Sequence, residues 1–444
     1  MKLKGALFLI ILPVILTVIF LIPSSDNYTG ILALVIAFMG LLFGACFAKP
    51  VLGSFCLIIS MHWIMEEGIY IAVYFLMVAN LVYVLMGLVK REVKVDRLWF
   101  VPLFVMTLYF GLVLLKRPYS VHMSFYFVDL VGLALFAAVS LFRWDKVRVQ
   151  NLLNAHILYT IVWCIIEYNF CYTDRVSGPS LSSTNLAALI TASWTIWFIN
   201  GWLSGMLRWP FLALGSMAVC LCVVLSGSRM GFIGIGVGGM FAVIFFFMRN
   251  MRERLLPLLG RVVLIFAALA VLAVLLWFVL PDELLIKRGF NLLAEGKLDR
   301  SSLGRIGVWL TALDAIKKSP VWGCGPGNFL RLNKLFLEQF NMIPLMRYVP
   351  RLGHAHNIYL MILSEQGIVG FLALGSVCVV CFRELFLYIK NMWDGFGFAL
   401  LGGAIVFMIL GCIDVFPLYP SSLGWGAWYM GVLFSLRSYR KDKK

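Results

Sequence analysis

Two histidines, His354 and His356, stand one residue apart, directly ahead of Asn357 and a long apolar run. The chain has only five histidines, so this pair concentrates groups that titrate near neutral pH at one boundary. A neutral imidazole there can take a proton from an attacking hydroxyl, which is general-base work. Asn357 suits the N-cap of the helix that the apolar run predicts. The positive end of that helix would favour a bound anion and disfavour imidazolium beside it. His356 therefore reads as a catalytic base and His354 as its binding neighbour. H-x-H can also supply two metal ligands, but no third ligand accompanies them in the sequence, so the site is read without a metal.

Arginines are the second group that could do chemistry. Arg175 precedes a run that opens with Ser182, Ser183, Thr184 and Asn185. Arg229 lies in the short turn LSGSRMGF, and Arg300 and Arg305 in DRSSLGR. A guanidinium near hydrocarbon is costly unless it faces a cavity or a partner, and it grips phosphate in a bidentate fork. With Asn185, His354 and Asn357 these arginines form a candidate set for binding a diphosphate. The plain alternative for each arginine is interfacial snorkelling to lipid headgroups.

The elements that must position these groups follow from composition. Hydrophobic residues make up 62% of the chain and charged residues 13%, against roughly 45–50% and about 25% in soluble domains. The expectation is an all-α integral membrane protein. Apolar runs place spans near 5–23, 29–46, 50–64, 68–89, 98–115, 122–142, 148–169, 184–203, 209–226, 229–248, 261–280, 357–382, 396–415 and 421–436. This predicts 12–14 transmembrane helices, because the short third run could be re-entrant. The net charge of +16 falls mainly in short loops such as KREVKVDR (90–97), RWDKVR (143–148) and RNMRER (249–254). That is the distribution positive-inside topology requires, and it speaks against a nucleic-acid partner. Both termini are expected in the cytoplasm, the last residues, 437–444, forming a basic tail.

Three regions follow: N-terminal membrane helices over 1–280, an extracytoplasmic segment over 281–355, and C-terminal membrane helices over 356–436. The outer segment holds eleven basic and six acidic residues, a balance that suits an anionic ligand. Its stretch 304–320 places Ile306, Trp309, Leu310, Leu313 and Ile316 on one helical face, and 328–340 repeats the pattern. These amphipathic helices are expected to lie on the membrane surface and cap the spans beneath. Gly323, Gly325 and Gly327 read as a tight turn docking the two helices, since no strand precedes them to make a nucleotide loop. Gly231, Gly234 and Gly238 read as a ridge for close helix packing. Asp129, Glu167 and Glu365 lie within apolar runs, as proton relays or as paired groups.

Taken together, these pieces resemble the O-antigen ligase and polymerase family of bacterial membrane glycosyltransferases. The resemblance runs over R-x-x-G-P…N (Arg175, Gly178, Pro179, Asn185) and S-R (Ser228, Arg229). It continues through R-x-x-x-W…P-x-x-G-x-G-x-x-N-F (Arg305, Trp309, Pro320, Gly323, Gly325, Asn328, Phe329). It ends at H-N-x-Y-L…E-x-G-x-x-G (His356, Asn357, Tyr359, Leu360, Glu365, Gly367, Gly370). The family implies an inverting, metal-independent, cofactor-free transfer of a glycan from a polyprenyl-diphosphate carrier to a glycan or lipid-linked acceptor. It places the reaction on the extracytoplasmic face of the bacterial inner membrane, among membrane lipids. The rival reading is a flippase or exporter of lipid-linked oligosaccharide. Against it stand the long outer segment ending in H-x-H-N and the lack of a visible inverted repeat.

Overall fold

The computed structural model describes residues 136, 139–140, 144–170, 176, 182–250, 300–339, 352–414 and 420–441. Expected spans before residue 122, the span at 261–280 and the residues around Arg175 lie outside these. The described elements are α1 (Lys146–Phe170), α2 (Ser183–Leu203), α3 (Trp209–Ser226), α4 (Arg229–Asn250), α5 (Arg300–Lys318), α6 (Phe329–Gln339), α7 (Ile358–Met392), α8 (Gly395–Gly411), α9 (Pro420–Ser435) and α10 (Arg437–Lys441). There is no strand among the described residues. Five of these helices are long and apolar enough to cross a membrane, and α8 is a shorter apolar helix. The protein is an all-α integral membrane protein, and its described helices fall where the apolar runs predict. α7 outruns its expected span, continuing as far as Met392, because Arg383–Met392 stays helical beyond the apolar run.

α2 is the central element, buried along nearly its whole length. Two seams of small residues let its neighbours approach. On one side Gly231, Gly234 and Gly238 of α4 sit against Ala187, Thr191 and Thr195, where an added Cβ would overlap its neighbours. On the other, Gly402 and Gly403 of α8 sit against Ile199 and Ile196. Lipid tails are as apolar as leucine, so close backbone approach replaces the hydrophobic drive between helices. The sequence's glycine ridge is this seam.

The same contacts fix direction. Residue pairs 187/231, 191/234 and 195/238 advance together, so α2 and α4 run parallel. Gly395 meets Leu203, Gly403 meets Ile196, and Leu410 lies beside Gly234, so α8 runs against both. At the far end Asn200 donates to Gln150 Oε1 and to the Lys146 carbonyl, both at 2.9 Å. Trp197 Nε1 donates to Asn154 Oδ1 at 2.6 Å. This satisfied polar cluster ties the start of α1 to the end of α2, where an unpaired amide in hydrocarbon would be costly. α9 is held by Trp425, which donates to Ser193 Oγ at 2.9 Å and stacks on Tyr429 and Phe407.

α5 departs from expectation. Its buried face is Gly304, Val308, Thr311, Ala312 and Ala315, not the bulky stripe. Val308 and Ala312 form a small core with Phe329, Ala355 and Met361. Trp309, Leu310 and Leu313 are exposed, about 160° round the helix at 100° per residue. Small side chains won the packing face because they let α5 come close to α7. Periodicity alone could not distinguish the two faces, since neither is polar.

Candidate active site

The first turns of α2, α4 and α7 and the last turn of α8 gather at one end of the bundle. Gly411 packs on Ile358, and Tyr359 donates to the Met408 carbonyl at 3.0 Å. The C-terminal turns of α3, just ahead of Arg229, and of α8 meet the N-termini of α2, α4 and α7 here, so the helix dipoles largely offset one another.

His356 stands just outside α7. Its Nδ1 lies 3.1 Å from Asp414 Oδ1, three residues past α8. Asp414 is almost wholly buried, while the His356 side chain is about one-fifth exposed. A carboxylate can only accept, so it fixes the proton on Nδ1 and leaves Nε2 as the imidazole's free lone pair. His356 has a left-handed backbone (φ 46°), uncommon outside glycine though tolerated by histidine. The chain turns there into the cap at Asn357, whose Oδ1 accepts from Leu360 N at 3.0 Å. Asn357 Nδ2 donates to the Cys412 carbonyl at 3.0 Å. One asparagine therefore closes α7 and ties it to the residues preceding Asp414.

The His354 ring meets that of His356 edge-on, with centroids 4.2 Å apart. Burial, reinforced by the neighbouring His356, pushes the His354 pKa down to about 4, with Asp414 opposing. His354 is therefore neutral at pH 7. Asp414 also supplies what the sequence reading lacked, a third potential metal ligand. Ligand atoms of His354, His356 and Asp414 lie within 4.8 Å of one another. Two imidazoles and one carboxylate are a donor set zinc accepts.

The helix α7 is broken at Gly367 (φ 65°, ψ −168°), and the break explains two glycine motifs. An unbroken helix would pair the carbonyls of Ser364 and Glu365 with the N–H groups of Ile368 and Val369. Here Cys324 N and Gly325 N donate to those carbonyls at 2.9 and 2.8 Å. Ile368 N and Val369 N donate instead to Pro320 O and Val321 O, at 2.9 and 3.2 Å. All four orphaned groups are satisfied by the glycine turn. Gly323 and Gly367, each at φ 65°, make the approach possible: a Cβ on either would strike opposing backbone. Glu365 then accepts from Phe329 N at 2.9 Å, capping α6 from across the interface. Glu365 is thus a clamp on α5 and α6, the paired alternative for this residue. Buried Asn333 completes the mount, donating to Thr311 Oγ1 and accepting from Leu352 N, both at 3.0 Å.

The arginines divide. Arg229 is exposed at the first position of α4, between buried Ser228 and Met230. A cation at a helix N-terminus opposes the dipole, an arrangement that an anion would relieve. Ser228 Oγ is buried without a hydrogen-bond partner among the described residues. Arg305, half-buried on α5 one turn before Val308, also has a buried Nε without such a partner. Arg300 opens α5, and Arg175 lies outside the described residues. Asn185 is buried in the first turn of α2, at the same end of the bundle.

Residues 214–375 match the O-antigen ligase family model. This supports the O-antigen ligase family for the chain and suggests a glycosyl-transferring membrane enzyme. Arg229, Arg300, Arg305, His354, His356 and Asn357 fall inside the O-antigen ligase match; Asn185 and Asp414 fall outside it. No curated protein matches the chain. Asp414 is the residue that sequence reading missed. Its signal was a lone acid closing an apolar span, where ionisable groups are rare without a partner.

Proposed function

We propose that the protein is an inverting glycosyltransferase that moves a glycan from a polyprenyl-diphosphate carrier to an acceptor hydroxyl on the extracytoplasmic face. The observation that carries this reading is the His356–Asp414 pair where the helix ends meet. His356 Nε2 takes the proton of the acceptor hydroxyl as its oxygen bonds to the anomeric carbon. The bond from that carbon to the diphosphate oxygen breaks, and the diphosphate leaves on its lipid. Arg229 and Arg305, with Arg175 and Arg300, offset the charge gathering on the leaving group. Asn357, by capping α7 and holding the Cys412 carbonyl, keeps His356 and Asp414 together. The carrier's tail remains in hydrocarbon while its diphosphate and sugars stand in water, which accounts for a base at the membrane boundary.

Purified enzyme in nanodiscs, given a polyprenyl-diphosphate glycan and an acceptor, should release polyprenyl diphosphate and form an inverted linkage. Translocation of the donor without transfer would favour the flippase instead. Cysteine at exposed Lys334, in a background without reactive native thiols, should label with an impermeant maleimide in intact cells or spheroplasts. Labelling only after lysis would put the site on the wrong face and sink the reading.

The cluster of His354, His356 and Asp414 favours one second reading, a metal-assisted transfer. We keep the dyad as the main reading because Nδ1 of His356 already has the Asp414 carboxylate as its hydrogen-bond partner.

A further inference from the structure

We infer that α5 and the turn Pro320–Trp322 form a foot embedded in the bilayer leaflet on the site's side, with lipid acyl chains covering their outward face. A helix that buries one apolar face in protein normally turns a polar face outward. On α5 that face is apolar until its last turn: Trp309, Leu310 and Leu313 point away from the small-residue packing face and are exposed, Lys317 follows them on the same side, and Val321 and Trp322 extend the patch beyond the helix.

Continuity with a lipid-facing surface identifies the occupant. Pro320 and Val321 are hydrogen-bonded through their carbonyls to Ile368 and Val369 of α7. Ile368 begins a line of exposed apolar side chains, Ile368, Leu372, Val379 and Phe386, which at 100° per residue fall within about 40° of one another. That stripe runs down a membrane-spanning helix, and Val321 and Trp322 adjoin its upper end. Depth agrees. α7 runs on to Met392, so about 37 Å of helix follows the Gly367 break, against a hydrocarbon core about 30 Å thick, which sets the junction near the core's edge. The turn joins it at the Gly367 break, so about 14 Å of helix stands above the junction. Trp322 and Trp309 suit the aromatic belt of a membrane interface, and exposed Lys317 and Lys318 at the end of α5 suit headgroup phosphates. The foot would set the height of Arg305, on the same helix, relative to the bilayer. The inference rests on the membrane fold and stands whether or not the transferase reading does.

The test is site-directed spin labelling of the full chain in nanodiscs. Nitroxides are placed singly at Leu313, Val321 and Leu372, with a fourth at exposed Lys334 as the aqueous reference, in a background without reactive thiols. At Leu313 and Val321 collisions with dissolved oxygen should exceed those with a water-soluble nickel complex, by a ratio close to that at Leu372. A ratio matching Lys334 would overturn the foot and leave the patch in water. Protection from both colliders would also overturn it, because another segment of the chain would then cover the face. If the thiol-free background does not fold, benzoylphenylalanine at Val321 in the native-cysteine chain serves instead. Photolysis should add the mass of one lipid; cross-links only within the chain would overturn the proposal.

Discussion

His356 Nδ1 lies 3.1 Å from Asp414 Oδ1 across 58 residues of sequence. The contact joins the entrance of one span to the exit of the next and gives the imidazole a defined tautomer. His356→Ala should lower transfer by about 10²- to 10⁴-fold, the usual worth of a general base, with expression and insertion intact. Asp414→Asn keeps the shape but accepts from Nδ1–H less strongly. It should lower kcat more than it raises KM and should alter the pH–rate profile, measured as initial rates in nanodiscs. An unchanged profile would reduce Asp414 to a structural role.

Arg229→Lys and Arg305→Lys keep the charge but lose the planar fork. Each should lower kcat/KM roughly tenfold or more, the scale of one or two hydrogen bonds to a charged group. A lysine variant equal to wild type would make that arginine an interfacial anchor.

Chelation separates the two readings of the His354, His356 and Asp414 cluster. With the dyad acting alone, activity persists in EDTA. Loss of activity, with recovery on adding a divalent ion, would establish metal assistance.

Gly323→Ala and Gly367→Ala should each lower thermal stability. Left-handed backbone costs a non-glycine residue about 1–2 kcal/mol, and at both positions the new methyl meets opposing backbone. Gly236→Ala, with nothing near its would-be Cβ, is the control and should leave the melting temperature nearly unchanged in scanning fluorimetry.

His354 gives a pH signature. Burial lowers its pKa in the folded chain from 6.5 to about 4. Above about 6.5 it is neutral folded or unfolded. Between 6.5 and 4 only the unfolded state takes up a proton, so stability falls as pH falls through that window. His354→Gln should flatten this part of the melting-temperature profile; an unaltered slope would show that His354 is not the group responsible.

The sequence by itself determined the membrane class, the places of the described membrane helices and the chemistry-bearing types at 229, 305 and 354–357. These are local properties: hydrophobic run length, capping residues and charges beside apolar segments. Tertiary structure alone decided that Asp414 faces His356, because that contact depends on α8 running against α4 and meeting α7 end to end. It also decided the packing face of α5. Two apolar faces on one helix carry the same periodic signal, and only the size of the side chains against a real neighbour selects between them. The glycine turn was legible as a turn, but not as the partner of a broken helix. The backbone groups that Gly367 frees have no address until the opposing strand of chain is in place.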